Sequence, residues 1–237
     1  ACGSAAFLRS CKSFAEADGR EVELHGYEIS NRAARVASLM SYLACSDELI
    51  IEQLDSLETK SSSLISGNSY TIEDSLKKHK LNGFDFIVTN PPFAGDVSAA
   101  SYQADYETAR NGSSRTEKDV LFIERCLSLL ADGGRLAIVL PDNKVSSKKF
   151  HWLRKWLLER VRILAVVSLH GYTFKPHTSQ KACVVFIIKT KSKSDQHISF
   201  YRSDKPGKTS NGDLVYANGV VDHDLDEIAN ALVKEWH

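Results

Sequence analysis

With 237 residues, 43% apolar and 25% charged, the chain has room for one sizeable α/β domain and too little for two full enzymatic domains. Thirty basic residues balance thirty acidic ones, so a domain that grips nucleic acid by bulk charge alone is excluded; a grip on DNA needs a local basic rim or a partner. No apolar run approaches the ~20 residues of a membrane span, no basic start leads into a long apolar stretch, and the five cysteines form no Cys-x-x-Cys pair. These features read as reduced thiols in a cytoplasmic protein with no membrane partner.

In chain order, the small-residue string Ala1-Cys2-Gly3-Ser4-Ala5-Ala6 is of a kind that follows a strand. None precedes it here, so the sequence reads as a piece of a longer protein. Residues 7–17 read as a short helix, and 22–27 as a strand that ends in Glu28. Ser30 can cap a helix over 31–46, with apolar positions near helical spacing. Residues 54–63 read as a linker or frayed helix, and 64–66 as a short strand before Gly67-Asn68. Lys77-Lys78-His79-Lys80 reads as a solvated turn. Residues 84–89 are nearly all apolar, which predicts a strand buried on both faces of a parallel sheet.

Residues 95–118 are polar and aperiodic, as in a functional or disordered loop. A helix over 119–130 is predicted to close at Gly133-Gly134, ahead of a buried strand over 135–140 that Pro141 stops. A helix over 147–160 carries Trp152 and Trp156 four apart, which predicts that the two rings face the core and the basic residues face out. Strands follow at 163–169 and 182–189, then an edge strand at 197–202 and a final helix capped by Asp222. This order predicts an α/β fold, a doubly wound, mostly parallel sheet with an antiparallel strand near the C-terminus. In such sheets ligands bind at the carboxyl ends of the strands.

The residues that carry chemistry lie at those ends. The strand 84–89 delivers Asn90, and Pro91 and Pro92 then fix φ and remove two backbone donors. What remains is acceptor-rich, namely the Asn90 side-chain oxygen and the Pro91 carbonyl, with Phe93 as an aromatic face beside them. Such a pair suits an exocyclic amine on a planar base. A rigid strand-end turn is the plainer account of the same residues. Glu28 is placed to take two ribose hydroxyls, or is a solvated loop acid. Phe7 lines a cofactor pocket or plugs the core. The eight histidines show no ligand spacing, so no metal is expected. No Gly-x-Gly-x-x-Gly follows any strand, which disfavours a dinucleotide-dependent dehydrogenase.

Asn90-Pro91-Pro92-Phe93 after an apolar strand resembles the catalytic motif of the adenine-specific (N6) DNA methyltransferases, above all the modification subunit of type I restriction-modification systems. Ala1 to Leu8 is similar to the second half of that family's cofactor loop, and Gly26-Tyr27-Glu28-Ile29 to its ribose-binding strand end. Residues 133–141 and Phe174-Lys175-Pro176-His177-Thr178 resemble a later strand and the base-contacting loop, so the likeness runs over nearly the whole chain. Two positions depart from the pattern. Ala5 stands where the family usually has Gly, and its Cβ is expected to crowd the cofactor's methionine moiety; Asn68 stands where the family often has Asp.

The resemblance implies an S-adenosylmethionine-dependent methyltransferase (Rossmann-like) fold, with a catalytic domain over 1–203 and an extension over 204–237. It implies methyl transfer to adenine in DNA, with Asn90, Pro91, Pro92 and Phe93 catalytic, and Ala1, Cys2, Gly3, Ser4, Phe7, Glu28, Ile29, Asn68 and Ser69 at the cofactor. Phe93 and Phe174 contact the flipped base. Expected partners are DNA, a specificity subunit or domain, and a restriction subunit. Two rivals stay open: methylation of RNA or of a protein glutamine, and a non-catalytic scaffold of the same fold that binds DNA or a specificity subunit.

Overall fold

The computed structural model describes residues 1–43, 49–59, 70–93, 95–190 and 197–235. The strand candidate at 64–66, Asn68, Ser69 and Trp236 of the expected final helix lie outside them. The chain divides into two compact units, Ala1–Ala131 and Asp132–His237.

The first unit opens with α1 (Ala6–Ala17), β1 (Leu24–Glu28), α2 (Asn31–Leu43) and β2 (Leu49–Gln53). β1 and β2 pair in parallel from Leu24↔Leu49 to Glu28↔Gln53, so α2 is the crossover of a β-α-β unit. Sequence reasoning missed β2. Its five residues are an apolar triplet followed by Glu52 and Gln53, too short to show a period. Ala5, Ala37 and Leu49 form a small core under α1, α2 and β2, closed by Leu8, Leu24 and Ile51. Gly26 of β1 is required here. A Cβ on it would stand 2.6 Å from Ile51 Cδ1, 2.9 Å from Leu8 Cδ1 and 3.0 Å from Cys2 Sγ.

α3 (Ile72–Lys78) and β3 (Phe84–Thr89) follow. Tyr27, Ile72 and Leu129 pack with Leu54, Leu76, Phe84 and Ile87, which joins β1, α3 and β3 in one core. β3 departs from the expectation of burial on both faces. Asp85 and Phe86 are exposed, and only Thr89 is fully buried. A run of apolar residues reports that a strand has apolar neighbours available, not that both faces find them.

Residues 95–118 are ordered rather than loop-like. β4 (Asp96–Ser98) and β5 (Arg115–Glu117) pair antiparallel, with two short 3₁₀ turns between them. The segment is held by its tyrosines. Tyr106 is buried with Leu57, Ala109, Leu121 and Phe122, Tyr102 packs on it edge-to-face at 5.9 Å, and its hydroxyl donates to the Leu57 carbonyl at 2.7 Å. Glu124 on α4 (Lys118–Leu129) accepts from the backbone of Glu107 and Thr108, both at 2.8 Å.

Among the described residues of this unit, Arg125 on the same helix makes the most extensive polar contact. Its guanidinium forks onto Glu73, with Nη1 at 2.5 Å and Nη2 at 3.1 Å from the two carboxylate oxygens. It also donates to the carbonyls of Ser56 at 2.8 Å and Glu58 at 3.0 Å. The arginine side chain is 4% exposed, so each donor depends on these partners.

β6 (Leu130–Pro141) begins directly at the end of α4, and Gly133-Gly134 lies within the strand instead of closing the helix. In the second unit the strand order is β6, β8 (Ala182–Ile188), β7 (Arg162–Ser168), β9 (Ser199–Arg202). β8 runs antiparallel to both neighbours while β9 runs parallel to β7, so β8 is the single reversed strand of this set, as the sequence order predicts.

Between β6 and β7 lie α5 (Asn143–Ser146), a 3₁₀ turn and α6 (His151–Arg160). Leu153 and Leu157 face the core, and Trp152 and Trp156 are only half-buried beside them. Both pairs are four apart, so spacing alone does not choose between two faces one residue out of phase. Arg160 covers the Trp156 ring at 4.8 Å.

The hairpin of β10 (Tyr216–Ala217) and β11 (Val220–Val221) turns on Asn218-Gly219, both at positive φ as a type I′ turn demands. The final helix is α7 (Leu225–Glu235). Asp222 does not cap it, because its carboxylate pairs with Lys205 at 3.1 Å. Asp224 precedes the helix and accepts from Ser203 Oγ and the backbone of Asp204 and Lys205.

Two stability measurements test this packing. Glu73→Gln leaves the Arg125 guanidinium without a counter-charge. Because the Glu73 side chain is 34% exposed, the expected loss is about 2 kcal/mol in urea unfolding, below the 3–5 kcal/mol of a fully buried pair. Burial pushes the Glu73 carboxyl up, but the hydrogen bonds and charge of Arg125 outweigh it and hold the group below the usual carboxylate range. A lowered carboxylate contributes stability above its unfolded value near 4.5, and that stability is lost as pH falls through the lower folded value. The wild type should therefore lose stability on acidification below about pH 4.5 more steeply than Glu73→Gln. Gly26→Ala should cost about 1–3 kcal/mol by overpacking, read as a lower midpoint at unchanged m-value.

Candidate active site

The site is built at the carboxyl end of β1. Cys2 N–H donates to the Tyr27 carbonyl at 2.9 Å, and the Ala1 nitrogen donates to the same carbonyl at 2.8 Å and to Ser56 Oγ at 3.1 Å. The chain then turns at Gly3, with φ of 56°, a conformation that glycine adopts without penalty. Gly3 N–H donates to Glu28 Oε2 at 2.9 Å, and Ser30 N–H donates to Glu28 Oε1 at 3.0 Å. The carboxylate is buried, and each oxygen keeps a lone pair beyond the bond it accepts. A Cβ on Gly3 would meet no atom within 4 Å, so the loop presents open backbone on that side.

Ala5 takes a left-handed conformation at the start of α1, with φ of 61° and ψ of 28°. Its methyl does not crowd an open cradle, contrary to the sequence expectation. It is fully buried against Ala37 and Leu49, so the cost of the side chain is backbone strain of about 1 kcal/mol, partly offset by packing.

Asn90 follows β3 directly and is exposed, with Pro91 buried, Pro92 exposed and Phe93 half-buried. The strand end thus holds Pro91 in the fold and leaves the Asn90 amide facing solvent. β1 and β3 share the core around Tyr27, Phe84 and Ile87, which places Glu28 and Asn90 at the ends of two strands of one packed unit.

Of the other expected residues, Ala1, Cys2 and Gly3 form the loop that Glu28 binds, while Ser4 is exposed beside it. Phe7 on α1 and Ile29 after β1 are both exposed, which removes the alternative that Phe7 plugs the core. Phe174 belongs to the second unit. It sits half-buried in the turn before the cis Lys175-Pro176 bond, and its carbonyl accepts from Thr178 N–H at 3.1 Å.

Two elements of the site escaped sequence reasoning. Ser30 caps α2 as the sequence predicts, its Oγ accepting from Ala33 N–H at 3.4 Å, and in addition it gives its backbone N–H to Glu28; a carboxylate two residues before a serine is the local signal for such a turn. The segment 54–59, read as a linker, backs the loop instead. Leu54 N–H donates to the Glu28 carbonyl at 3.1 Å, and Arg125 fastens Ser56 and Glu58.

Comparison with known proteins gives this site a family. The N-6 DNA methylase family profile matches residues 1–236. The methylase subunit of the type I restriction enzyme EcoEI of Escherichia coli is 30% identical over 131 residues, 54% of this chain and 25% of that protein. The type II restriction enzyme and methyltransferase RM.BcgI of Heyndrickxia coagulans is 24% identical over 220 residues, 87% of this chain and 30% of that protein. This chain therefore spans under a third of the length of these two relatives. Among solved structures, a type I restriction-modification methyltransferase subunit of Streptococcus thermophilus matches with a TM-score of 0.72 at 20% identity, over 99% of this chain and 47% of that one. A class I S-adenosylmethionine-dependent methyltransferase of Listeria monocytogenes, itself described as putative, matches with a TM-score of 0.70 at 14% identity, over 100% of this chain and 63% of that one. The fold is that of the S-adenosylmethionine-dependent methyltransferases, and the chain belongs to the N-6 DNA methylase family.

Proposed function

We propose that this chain performs S-adenosylmethionine-dependent methyl transfer to the N6 amino group of adenine in DNA, as the modification component of a restriction-modification system. The observation that carries the reading is the exposed Asn90 amide at the end of β3, followed by two prolines and a half-buried Phe93. The catalytic domain is taken as 1–203 and the extension as 204–237. DNA, a specificity subunit or domain and a restriction subunit are the proposed partners. A cytoplasmic location accords with them, and among the described residues no helix is long and apolar enough to cross a membrane.

The residues present suit the cofactor. Glu28 has two lone pairs left for a pair of ribose hydroxyls, and Gly3 offers a backbone that a ligand can approach closely. Ala1, Cys2, Ser4, Phe7 and Ile29 border that space, and Asn68 and Ser69 are assigned to the cofactor's adenine on sequence grounds alone. S-adenosylmethionine, when bound, supplies a sulfonium methyl group. The target adenine leaves the duplex stack at a cost of a few kcal/mol and Phe93 stacks on it; Phe174 is assigned to base contact on sequence grounds alone. The Asn90 side-chain oxygen and the Pro91 carbonyl accept the two amino hydrogens. That directs the nitrogen lone pair away from them and stabilises the positive charge that grows on nitrogen. The scaffold alternative loses one support, because the Ala5 methyl lies in the core and not in the cradle.

Transfer of labelled methyl groups to unmethylated duplex DNA tests the mechanism. Asn90→Ala should lower the rate by about 10²–10³-fold while cofactor affinity stays within a few-fold. Undiminished transfer would refute the role of Asn90. Separately, calorimetric titration with S-adenosylmethionine should show binding in the wild type and none in Glu28→Ala; equal affinity in the two would remove Glu28 from the cofactor site.

A further inference from the structure

The amino end of β1 and the residue that follows α3 bring together three side chains of metal-ligand type, Glu23, His25 and His79. One ligand atom from each lies within 4.8 Å of the others. His25 Nε2 stands 2.9 Å from Glu23 Oε1, and His79 Nδ1 stands 3.8 Å from the same oxygen, too far for a hydrogen bond. The sequence reading saw a solvated turn at residues 77–80 and no ligand spacing among the histidines. The three lysines of that stretch are exposed as expected, but the His79 side chain is only 19% exposed.

The rings are poorly satisfied as they stand. The His25 side chain is 1% exposed, wedged between the His79 ring, edge-on at 4.9 Å, and Phe84 at 5.6 Å. Its Nδ1 is buried without a partner, and so is His79 Nε2. The nitrogens that face Glu23 are the opposite ones, His25 Nε2, at hydrogen-bond distance from Oε1, and His79 Nδ1. A first-row divalent ion fits among these three facing atoms. Such an ion binds imidazole nitrogen at about 2.0–2.1 Å and carboxylate oxygen at about 2.0–2.2 Å, so tetrahedral ligand atoms stand about 3.3 Å apart. The separations of 2.9 and 3.8 Å bracket that value. Glu23 is half-exposed, which leaves one side open for water as the fourth ligand. Two imidazoles and one carboxylate are a donor set suited to zinc and its neighbours rather than to calcium or magnesium.

We propose that Glu23, His25 and His79 bind a divalent first-row transition-metal ion, which clamps the amino end of β1 to the end of α3. The site lies at the opposite end of β1 from Glu28, so it acts on the stability of the first unit and not on methyl transfer.

Calorimetric titration of the metal-free protein with Zn²⁺, paired with thermal melts, tests this. One ion per chain should bind, and Tm should rise by about 5 °C or more at a hundredfold excess over Kd. His79→Ala and Glu23→Gln lie toward the surface and should fold; each should weaken Zn²⁺ binding at least tenfold and abolish most of the Tm rise. Cys2→Ser and Cys11→Ser should leave both unchanged, because the thiols are not ligands. The proposal is overturned if the wild type binds no Zn²⁺, or if the Glu23 and His79 variants bind it as tightly as the wild type.

Discussion

Glu28 accepts one backbone N–H from Gly3 and one from Ser30, and both bonds are partly shielded from water by the fold. Hydrogen bonds to a charged acceptor contribute about 1.5–3 kcal/mol each. Together they fix the path of the chain from Ala1 into α1 and the path from β1 into α2. The direction of α1 then follows from the turn at Gly3 and the left-handed Ala5, and so does the core that Ala5 shares with α2 and β2. Loss of that carboxylate would loosen the entry into α1 and the entry into α2 at once.

Arg125 does comparable work behind the loop. Its four donor contacts reach Glu73 on α3 and the carbonyls of Ser56 and Glu58, while Leu57 between them packs on Tyr106. A segment of polar, irregular backbone is thereby tied down at two of its carbonyls.

What the sequence disclosed and what it hid follow from locality. The turn from Asn90 to Phe93 was legible because one apolar strand leads into it and two prolines mark its end. Glu28 was legible as an acid at a strand end. β2 was hidden because five residues carry no period, although its pairing with β1 is regular. The order within residues 95–118 was hidden because it depends on tyrosines that find partners on α4 and at Leu57. The Asn218-Gly219 hairpin had a local signature, and that signature was overlooked. Trp152 and Trp156 misled because a four-residue spacing belongs equally to Leu153 and Leu157. The grouping of Glu23, His25 and His79 is non-local, so only the fold reveals it.

The two pyrrolidine rings after Asn90 have a consequence beyond chemistry. A turn whose torsions are set by covalent rings owes little to the side chains around it. Its surroundings can change over generations without disturbing its shape. The residues packed around it can then drift while the geometry at the end of β3 is inherited intact.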